Sequence, residues 1–327
     1  MRPHESTSAA QESAWAARTV PDPEIVRADR LIAAPMHTRI AHIPFSLSYL
    51  IVGGDGDLHL IDPGMDLPEN ADRLAAAARL VGRRIDDIAT VTVTHLHTDH
   101  TGMADVVRRR TGAPVRIHRR EHEGLLSPNP VARGSYDDWG VPDEVRARLR
   151  AGVVRRSPLD VDGFIEDGDV LLLGGTRVTA VLTPGHTSGH LCFDIPELDV
   201  FLTGDHVLPT MNPGLGLGHD SETNPVADYL DALTHTEPFD GREALPGHGH
   251  RFLGLAARCR HIAAHVSRRL DEIAGVVAES PEATVWDVAS RIRWGAGWEN
   301  LNGFYMQSAL YQTSLYRDLA LTLRQRR

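Results

Sequence analysis

The most constraining feature of this 327-residue sequence is a segment in which metal-ligand side chains crowd behind a predicted strand. Residues 88–94 predict a short strand that ends in Ala-Thr-Val-Thr-Val-Thr, and a helix is predicted at about 102–111. Four ligand-type side chains lie in six positions between them, at His95, His97, Asp99 and His100. The first two can meet one ion, while the last two reach towards another. Imidazole and carboxylate groups at this spacing suit a divalent ion such as zinc.

Three more ligand-type side chains directly follow predicted strands, and each is preceded by glycine. They occur in the pairs Gly185-His186, Gly204-Asp205 and Gly247-His248. Asp62, in the run Ile-Asp-Pro-Gly, has the same strand-then-turn setting. Glycine lacks Cβ, so the backbone can turn tightly beside a bound ion. One such pair is usually only a turn, but five strand-end signals in one chain predict a shared metal site.

Composition excludes several enzyme classes. The sequence contains no lysine, so all 34 basic residues are arginine, and chemistry that needs a primary amine is excluded, as in P-loop ATPases, kinases and PLP enzymes. The net charge of −10 argues against a surface that coats nucleic acid, and two cysteines are too few for a disulfide framework. Without an apolar run of 18 residues or a signal-peptide core, we expect a cytoplasmic protein with no membrane association.

The pattern of elements predicts three parts: a flexible leader at 1–23, a catalytic domain at 24–253 and an all-helical appendage at 254–327. Alternation predicts β-structure across 38–62 and strands at 115–118, 170–173, 178–182, 191–195, 200–203 and 243–245. Helical spacing predicts helices at 70–84, 226–234, 255–278, 284–293 and 304–324. Residues 119–160, which are polar and broken by prolines, read as a helical insertion.

The ligand series from Asp62 to His248 resembles the metallo-β-lactamase-fold superfamily of hydrolases, over about residues 40–250. The resemblance implies an α/β fold, an αββα sandwich with metals at the edge where two sheets meet. It implies a first metal held by His95, His97 and His186, and a second held by Asp99, His100 and His248. Asp205 would bridge both metals, and Asp62 would orient the ligand loop.

The sequence also sorts the branches of this superfamily. Asp205 stands where true β-lactamases often carry cysteine or serine, so the chain is more similar to the glyoxalase II, lactonase and thioesterase branch. The appendage resembles that of lactamase-β-2-like hydrolases, although it ends on a helix without an obvious β-wing. Because some of those proteins act on RNA, a metal-dependent ribonuclease or phosphodiesterase stays as the alternative. A non-catalytic metal-binding scaffold is a third reading, against which the complete ligand set argues.

The implied function is a dinuclear hydrolase that uses metal-bound hydroxide on an acyl compound, namely a thioester, an ester or a lactone. Asp205 and Asp99 are the predicted catalytic residues: the first holds both ions, and the second passes a proton to the leaving group. Zinc is the expected metal, with iron and manganese as alternatives. We expect a small-molecule or carrier-linked acyl substrate, no nucleic acid, and leave a homodimer open.

Three regions are candidates for the walls of the cleft. The insertion is interpreted either as a lid or as a solvated hairpin, and it carries Arg119, Arg120, Arg133, Tyr136, Trp139, Arg146 and Arg148. Residues 211–218 form a glycine-rich candidate cleft loop, with His206 and His219 nearby as either substrate contacts or structural histidines. The aromatic residues of the appendage are expected in its core: Trp286, Trp294, Trp298, Phe304, Tyr305, Tyr311 and Tyr316.

Overall fold

Two seven-stranded sheets form the centre of the molecule. The computed structural model describes residues 4–127, 136–150, 159–218 and 221–325. The first sheet contains, in order across it, β2 (Glu24–Arg27), β3 (Leu31–His37), β4 (Phe45–Val52), β5 (Leu58–Ile61), β6 (Ile88–Thr92), β7 (Val115–Ile117) and β8 (Gly163–Phe164). The second contains, in order, β1 (Glu5–Ser6), β14 (Phe252–Leu253), β13 (Glu243–Pro246), β12 (Val200–Gly204), β11 (Leu191–Ile195), β10 (Thr176–Leu182) and β9 (Val170–Leu173).

Ten α-helices accompany the two sheets in the part of the chain that the structure describes. They are α1 (Ala9–Ala17), α2 (Pro68–Arg79), α3 (Thr98–Thr101), α4 (Ala104–Thr111), α5 (Arg119–Leu126), α6 (Asp143–Arg150), α7 (Pro225–Thr236), α8 (Leu255–Glu279), α9 (Val285–Arg291) and α10 (Gly303–Gln325). Capping residues in the sequence fix where several of these helices begin. The Asn224 side chain caps α7 before Pro225, and Thr284 and Asp287 form a capping box on α9.

Three apolar layers follow from the alternation of side chains along the strands. In β11, Leu191 and Phe193 point into the core between the sheets, whereas Cys192 joins the layer beneath α7 and α8. On the other side, Leu74 of α2 and Val107 of α4 pack against the outer face of the first sheet. The predicted αββα sandwich with a helical appendage is confirmed.

Residues 5–17 form a strand and a helix, which differs from the flexible leader expected for residues 1–23. Strand β1 pairs with β14, and Ser8 caps α1 by accepting a hydrogen bond from the Gln11 backbone N–H. The Gln11 side chain is fully buried and accepts a hydrogen bond from the Arg251 backbone N–H at 3.0 Å. Because this segment is polar, its composition gave no sign that its backbone completes the edge of a sheet.

The described middle of the insertion packs on the appendage. Tyr136, Val141 and Leu149 are buried in one cluster with Met306 and Leu310 of α10. The Gln307 side chain also donates a hydrogen bond to the Leu149 carbonyl at 2.7 Å. The helices of the appendage therefore supply an apolar partner for this part of the insertion.

Among the described residues, no helix combines the length and apolar character needed to cross a bilayer.

Candidate metal centre

The predicted ligands meet because the strands that precede them end at one edge of the sandwich. Strands β5 and β6 run parallel, as do β12 and β13, so within each pair both carboxyl ends lie at the same side. The two sheets are joined there by backbone hydrogen bonds, from Leu191 to the Thr94 carbonyl at 3.0 Å and from Leu47 to the Gly247 carbonyl at 2.8 Å. Residues far apart in sequence therefore share one cleft.

The first cluster consists of three imidazoles and one carboxylate. The Nδ1 atom of His97 lies 3.0 Å from Nε2 of His95 and 3.1 Å from Nε2 of His186. The Oδ2 atom of Asp205 lies 3.7 Å from Nε2 of His186 and 3.9 Å from Nε2 of His95. These four ligand atoms lie within 4.8 Å of one another, which suits a single cation.

The second cluster consists of Asp99, His100 and His248. The Nε2 atom of His248 is 3.2 Å from Oδ2 of Asp99, and Nε2 of His100 is 3.8 Å from the same oxygen. Asp205 reaches this cluster too, since its Oδ2 lies 3.4 Å from His248 Nε2 and its Oδ1 lies 3.6 Å from His100 Nε2. The structure therefore brings all seven predicted ligands together, with Asp205 between the two clusters.

The outward nitrogen of each ligand histidine faces an oxygen acceptor. His97, His186 and His248 donate to the carbonyls of Leu217, Gly214 and Phe45, at 3.2, 2.7 and 3.0 Å. His100 donates to Asp62 at 2.8 Å. The Thr94 hydroxyl uses its hydrogen to donate to Asp62, so its oxygen accepts the hydrogen bond from His95 at 3.0 Å. These contacts fix the ring orientations so that the other nitrogen of each ring faces its cluster, as metal coordination requires.

The two clusters have opposite electrostatic character. In the first, burial lowers the pKa of His97 to about 3 and also lowers the pKa of His186, so both rings are neutral. In the second, burial alone would lower the pKa of His100, but the carboxylates of Asp205, Asp62 and Asp99 raise it to about 9. Burial would likewise raise the pKa of Asp99, but His100 and His248 hold it at about 2.

Two buried atoms at the centre fit a bound cation. Nε2 of His100 and Oδ1 of Asp205 have no hydrogen-bond partner among the described residues. A Cβ atom on Gly247 would lie 2.4 Å from that Asp205 oxygen and 2.7 Å from the His100 ring, so only glycine leaves this space open. A buried imidazole nitrogen and a carboxylate oxygen without partners are costly unless a cation compensates them. The donor set therefore fits a divalent metal.

Comparison with known families agrees with this geometry. Residues 44–248 match the family model described as the metallo-beta-lactamase superfamily. The chain belongs to that superfamily. This membership confirms the expected hydrolase class.

Among curated relatives of this metallo-beta-lactamase superfamily member are two fungal proteins named atrochrysone carboxyl ACP thioesterase. One, from Cryptosporiopsis sp. (strain 8999), is 29% identical over 202 residues, which are 61% of this chain and 48% of the relative. The other, from Emericella nidulans, is 26% identical over 226 residues, 68% of this chain and 58% of the relative. The chain thus spans about half the length of these relatives.

The fold itself is shared with solved structures. A beta-lactamase domain protein from Burkholderia ambifaria superimposes with a TM-score of 0.78 at 20% identity. The match covers 98% of this chain and 93% of that protein, so it includes the helical appendage.

Asp62 holds the ligand loop of this superfamily member in place. Its carboxylate accepts hydrogen bonds from the Thr94 backbone N–H and hydroxyl, both at 2.7 Å, and from His100 at 2.8 Å. Its own backbone is left-handed, with φ of 55°, a conformation that non-glycine residues rarely adopt. This placement is consistent with the orienting role that the sequence predicts for Asp62.

Glu121 is an important residue that the sequence reasoning missed. Its buried side chain in α5 accepts hydrogen bonds from the backbone N–H of Leu96 at 2.8 Å and of Gly189 at 2.7 Å. One carboxylate therefore joins the loop that carries His95 and His97 to the loop that carries His186. The surrounding sequence is polar and arginine-rich, so nothing in it marked this glutamate as buried.

His190 was also missed, although it follows His186 by only four residues. It is buried, and its Nε2 accepts a hydrogen bond from the Asp205 backbone N–H at 3.1 Å. Its Nδ1 faces the Thr183 hydroxyl at 2.9 Å, so the neutral ring fixes the backbone of the shared aspartate. Burial and the neighbouring His186 hold the pKa of His190 well below its usual range.

Several other predicted contacts are structural. His206 is buried and donates to the Thr236 hydroxyl at 2.9 Å, and burial lowers the pKa of His206 to about 3. Arg119 lies over the Phe164 ring at 4.4 Å, and Arg146 forms ion pairs with Asp137 and Asp143. Arg120 donates to the Ser188 carbonyl at 3.3 Å. Arg133 and His219 lie outside the described residues.

The aromatic residues of the appendage divide into two groups. Trp286, Trp294 and Trp298 pack around the cluster that joins α6, α9 and α10, and Tyr316 is buried with α8. In contrast to the core position expected for them, Phe304 and Tyr305 are 44% and 41% exposed at the start of α10. Helix α10 places them at its first turn, where the other helices end.

Proposed function

We propose that this chain is a dinuclear metal-dependent hydrolase of carrier-linked thioesters. The observation that carries the proposal is the position of Asp205, whose two carboxylate oxygens face both ligand clusters. One carboxylate between two sets of imidazole and carboxylate side chains is the arrangement that a pair of divalent cations needs. Zinc is the metal we favour, because imidazole and carboxylate donors suit it well.

The relatives favour a thioester over an ester or a lactone. Two of them are named as thioesterases that act on a carboxyl group carried by an acyl carrier protein. Since the chain matches only about half of their length, the bond and the carrier are part of the proposal. The homodimer and the cytoplasmic location that were expected from the sequence stay predictions.

Bound cations would lower the pKa of water and polarise the thioester carbonyl. The chain's own residues supply the rest. Asp205 keeps the two clusters at a fixed separation, and His190 fixes its backbone. Asp99 is ionised at neutral pH, because His100 and His248 hold its pKa at about 2 despite burial, so its Oδ2 can accept a proton.

Because the leaving thiolate needs a proton, Asp99 has a second role: it carries the proton from the attacking water to the departing sulfur. The water oxygen forms a bond to the carbonyl carbon and gives up one proton to Asp99 Oδ2. When the carbon–sulfur bond breaks, that proton passes to the departing thiolate, so the products are a carboxylic acid and a free thiol. The Asp99 backbone carbonyl accepts a hydrogen bond from Ser46 at 3.0 Å, which keeps this side chain in place during transfer.

The test is to load the full chain with zinc, manganese or iron and to measure metal content together with hydrolysis of acyl-CoA, acyl-carrier, lactone and RNA substrates. We expect two equivalents of metal and thioester turnover, both lost in Asp205→Asn. Asp231→Asn, an exposed aspartate on α7, is the matched control and should behave as the wild type.

Turnover of RNA alone would replace the proposal with the phosphodiesterase alternative. Full metal loading without hydrolysis of any of these substrates would favour the scaffold reading.

A further inference from the structure

A loop at residues 208–218 connects the first ligand cluster to the helical appendage. The Gly214 carbonyl of this loop accepts the hydrogen bond that orients His186, at 2.7 Å. The Leu217 carbonyl accepts the one that orients His97, at 3.2 Å. Because partners of this kind fix the angle at which an imidazole faces a metal, the conformation of the loop sets the orientation of two of the three histidine ligands in the cluster.

The backbone of the 208–218 loop is also bonded to the loop that carries His186. The Gly216 N–H donates to the Gly185 carbonyl at 2.8 Å, and the Leu217 N–H donates to the His186 carbonyl at 2.9 Å. Backbone bonds therefore accompany the two bonds to the histidine rings. A shift of the 208–218 loop would move or turn the ligands of the first cluster with it.

Arg258, a buried residue in the first turn of α8, holds the start of this loop. Its Nε donates to the Leu208 carbonyl at 2.7 Å. Its Nη2 donates to the Met211 carbonyl at 2.7 Å and to the Asn212 side chain at 3.2 Å. The planar guanidinium carries its donors in a fixed fork, so one side chain can hold several acceptors of the loop at once.

The position of Arg258 is an unfavourable one for a cation. Burial lowers the pKa of Arg258, and a buried charge is costly unless polar groups compensate it. Here the compensating groups are carbonyl and amide oxygens of the 208–218 loop. The guanidinium and the loop therefore depend on each other: each would be left with unsatisfied polar groups if the other moved away.

Helix α10 holds the same loop closer to the ligands. The Gln312 side chain accepts a hydrogen bond from the Leu215 backbone N–H at 3.1 Å, and it donates to the Ser308 hydroxyl at 2.9 Å. The second bond fixes the amide so that its oxygen faces the loop. Leu215 directly follows the glycine whose carbonyl orients His186, so this contact lies one residue from the first cluster's support.

The second cluster is oriented by other parts of the molecule. His248 donates to the Phe45 carbonyl of β4, and His100 donates to Asp62, which follows β5. Both of these partners lie in the sandwich, outside the 208–218 loop and outside the appendage. Loss of the contacts between the appendage and the loop should therefore affect the first cluster and spare the second.

We propose that Arg258 is a positioning residue for the first metal: by holding the 208–218 loop, it keeps His97 and His186 at the orientation that a cation requires. The inference rests on the metal centre of the proposed function, but not on which bond is cleaved. It also gives the appendage a role in the site, since α8 and α10 hold the loop that supports one half of the metal centre.

The test measures the zinc affinity of each cluster separately, by calorimetry on the full-length chain. Arg258→Met is placed in a His248→Ala background, where the first cluster is complete, and in a His186→Ala background, where the second is complete. We expect the affinity of the first cluster to fall about tenfold, because groups behind metal ligands have effects of about 10- to 100-fold and Arg258 acts one contact further away. The affinity of the second should change by less than about twofold.

Two further variants and one control accompany this measurement. Arg258→Lys keeps the charge and some of the donors, so it should recover part of the lost affinity. Gln312→Leu removes the other contact at a position that is only partly buried, and it decides the matter if Arg258→Met does not fold. Arg268→Met, at an exposed position of the same helix, is the matched control and should bind zinc like its parent. Circular dichroism without zinc checks that each variant is folded.

The outcomes separate this inference from the proposed function. An unchanged affinity of the first cluster in folded Arg258→Met and Gln312→Leu would overturn the positioning role. So would an equal loss at both clusters, because a general destabilisation does not distinguish them. Failure of the wild-type chain to bind zinc would instead overturn the metal centre itself, and that result is seen before any variant is compared.

Discussion

The two ligand clusters use the same kinds of side chain but differ in charge. The first has three buried imidazoles that are neutral, since burial lowers the pKa values of His95, His97 and His186. In the second, carboxylates surround His100 and His248 and raise the pKa of both rings against the effect of burial. The first cluster is therefore ready for a cation at neutral pH, whereas protons occupy the second in the metal-free protein.

This difference suggests an order of loading. A cation that enters the first cluster displaces no proton, while one that enters the second must compete with the protons on His100 or His248. Asp205 belongs to both clusters, so a charge in one changes the affinity of the other.

Replacing Asp205, the carboxylate that both clusters share, should remove the difference between the two clusters altogether. We expect Asp205→Ala to lower kcat/KM by about 10³-fold or more, because one side chain contributes to both clusters and to their separation. Bound zinc, measured by mass spectrometry after dialysis, should fall below one equivalent. Retention of two equivalents would show that the clusters are independent.

Removing one histidine from each cluster in turn should separate the zinc binding of the first cluster from that of the second. We expect His186→Ala to abolish tight binding in the first cluster and His248→Ala to leave one tightly bound equivalent. Calorimetric titration with zinc distinguishes the two. Identical titrations for both variants would contradict the separation into two sites.

The carboxylate that joins the two histidine loops should act on the first cluster. We expect Glu121→Gln to weaken its zinc affinity about 10- to 100-fold, because supporting groups behind metal ligands have effects of this size. Glu123→Gln, an exposed neighbour on the same helix, is the matched control. An equal effect of both substitutions on zinc titrations would remove the special role of Glu121.

The pH dependence of zinc binding should differ between the clusters. The pKa of His100 is raised to about 9, so its ring is protonated at pH 7 and must lose a proton when a cation binds. Affinity at the second cluster should therefore rise from pH 6 towards 9, by about tenfold per pH unit for each proton that the cation displaces, whereas the first cluster should change little. Calorimetry in two buffers of different ionisation enthalpy should detect proton release only for the second equivalent.

The smallest effect concerns the N-terminal helix, whose Trp15 ring lies 6.4 Å from the ring of His248 in the second cluster. Gln11→Ala removes the acceptor of the Arg251 backbone N–H, three residues after His248, so we expect the free energy of unfolding to fall by about 1–3 kcal/mol. Zinc binding should weaken at the second cluster and stay unchanged at the first. Urea unfolding and zinc titration measure both changes, and Gln325→Ala at the end of α10 serves as a control.

Most of the ligand set could be predicted from sequence because each ligand follows a strand and the loops carry local signals. The glycines before His186, Asp205 and His248, together with the dense run from His95, indicated the seven candidate ligands, which the structure places in two clusters. Strands such as β9 and β11 begin and end at the predicted residues, since their alternation is strong.

Other features carry no local signal. Strand β3 was not predicted, and it contains Pro35, a residue uncommon in paired strands; yet it pairs with β4 along its whole length, and its Pro35 carbonyl accepts a hydrogen bond from Arg73. Glu121 lies in a polar run that resembles a solvated surface helix. Its burial depends on two backbone N–H groups, one of them from a loop 68 residues away in sequence.

The sequence by itself determined the strand-end motifs, because such motifs depend on neighbours close in the chain, and through their resemblance to the superfamily it predicted the αββα sandwich and the seven candidate ligands. Only the tertiary structure decided which groups hold those ligands: Glu121, His190 and the carbonyls of Gly214, Leu217 and Phe45. Tertiary structure also decided the contrast in charge between the clusters. That contrast arises from burial and from distances between distant carboxylates and imidazoles, which no local pattern encodes.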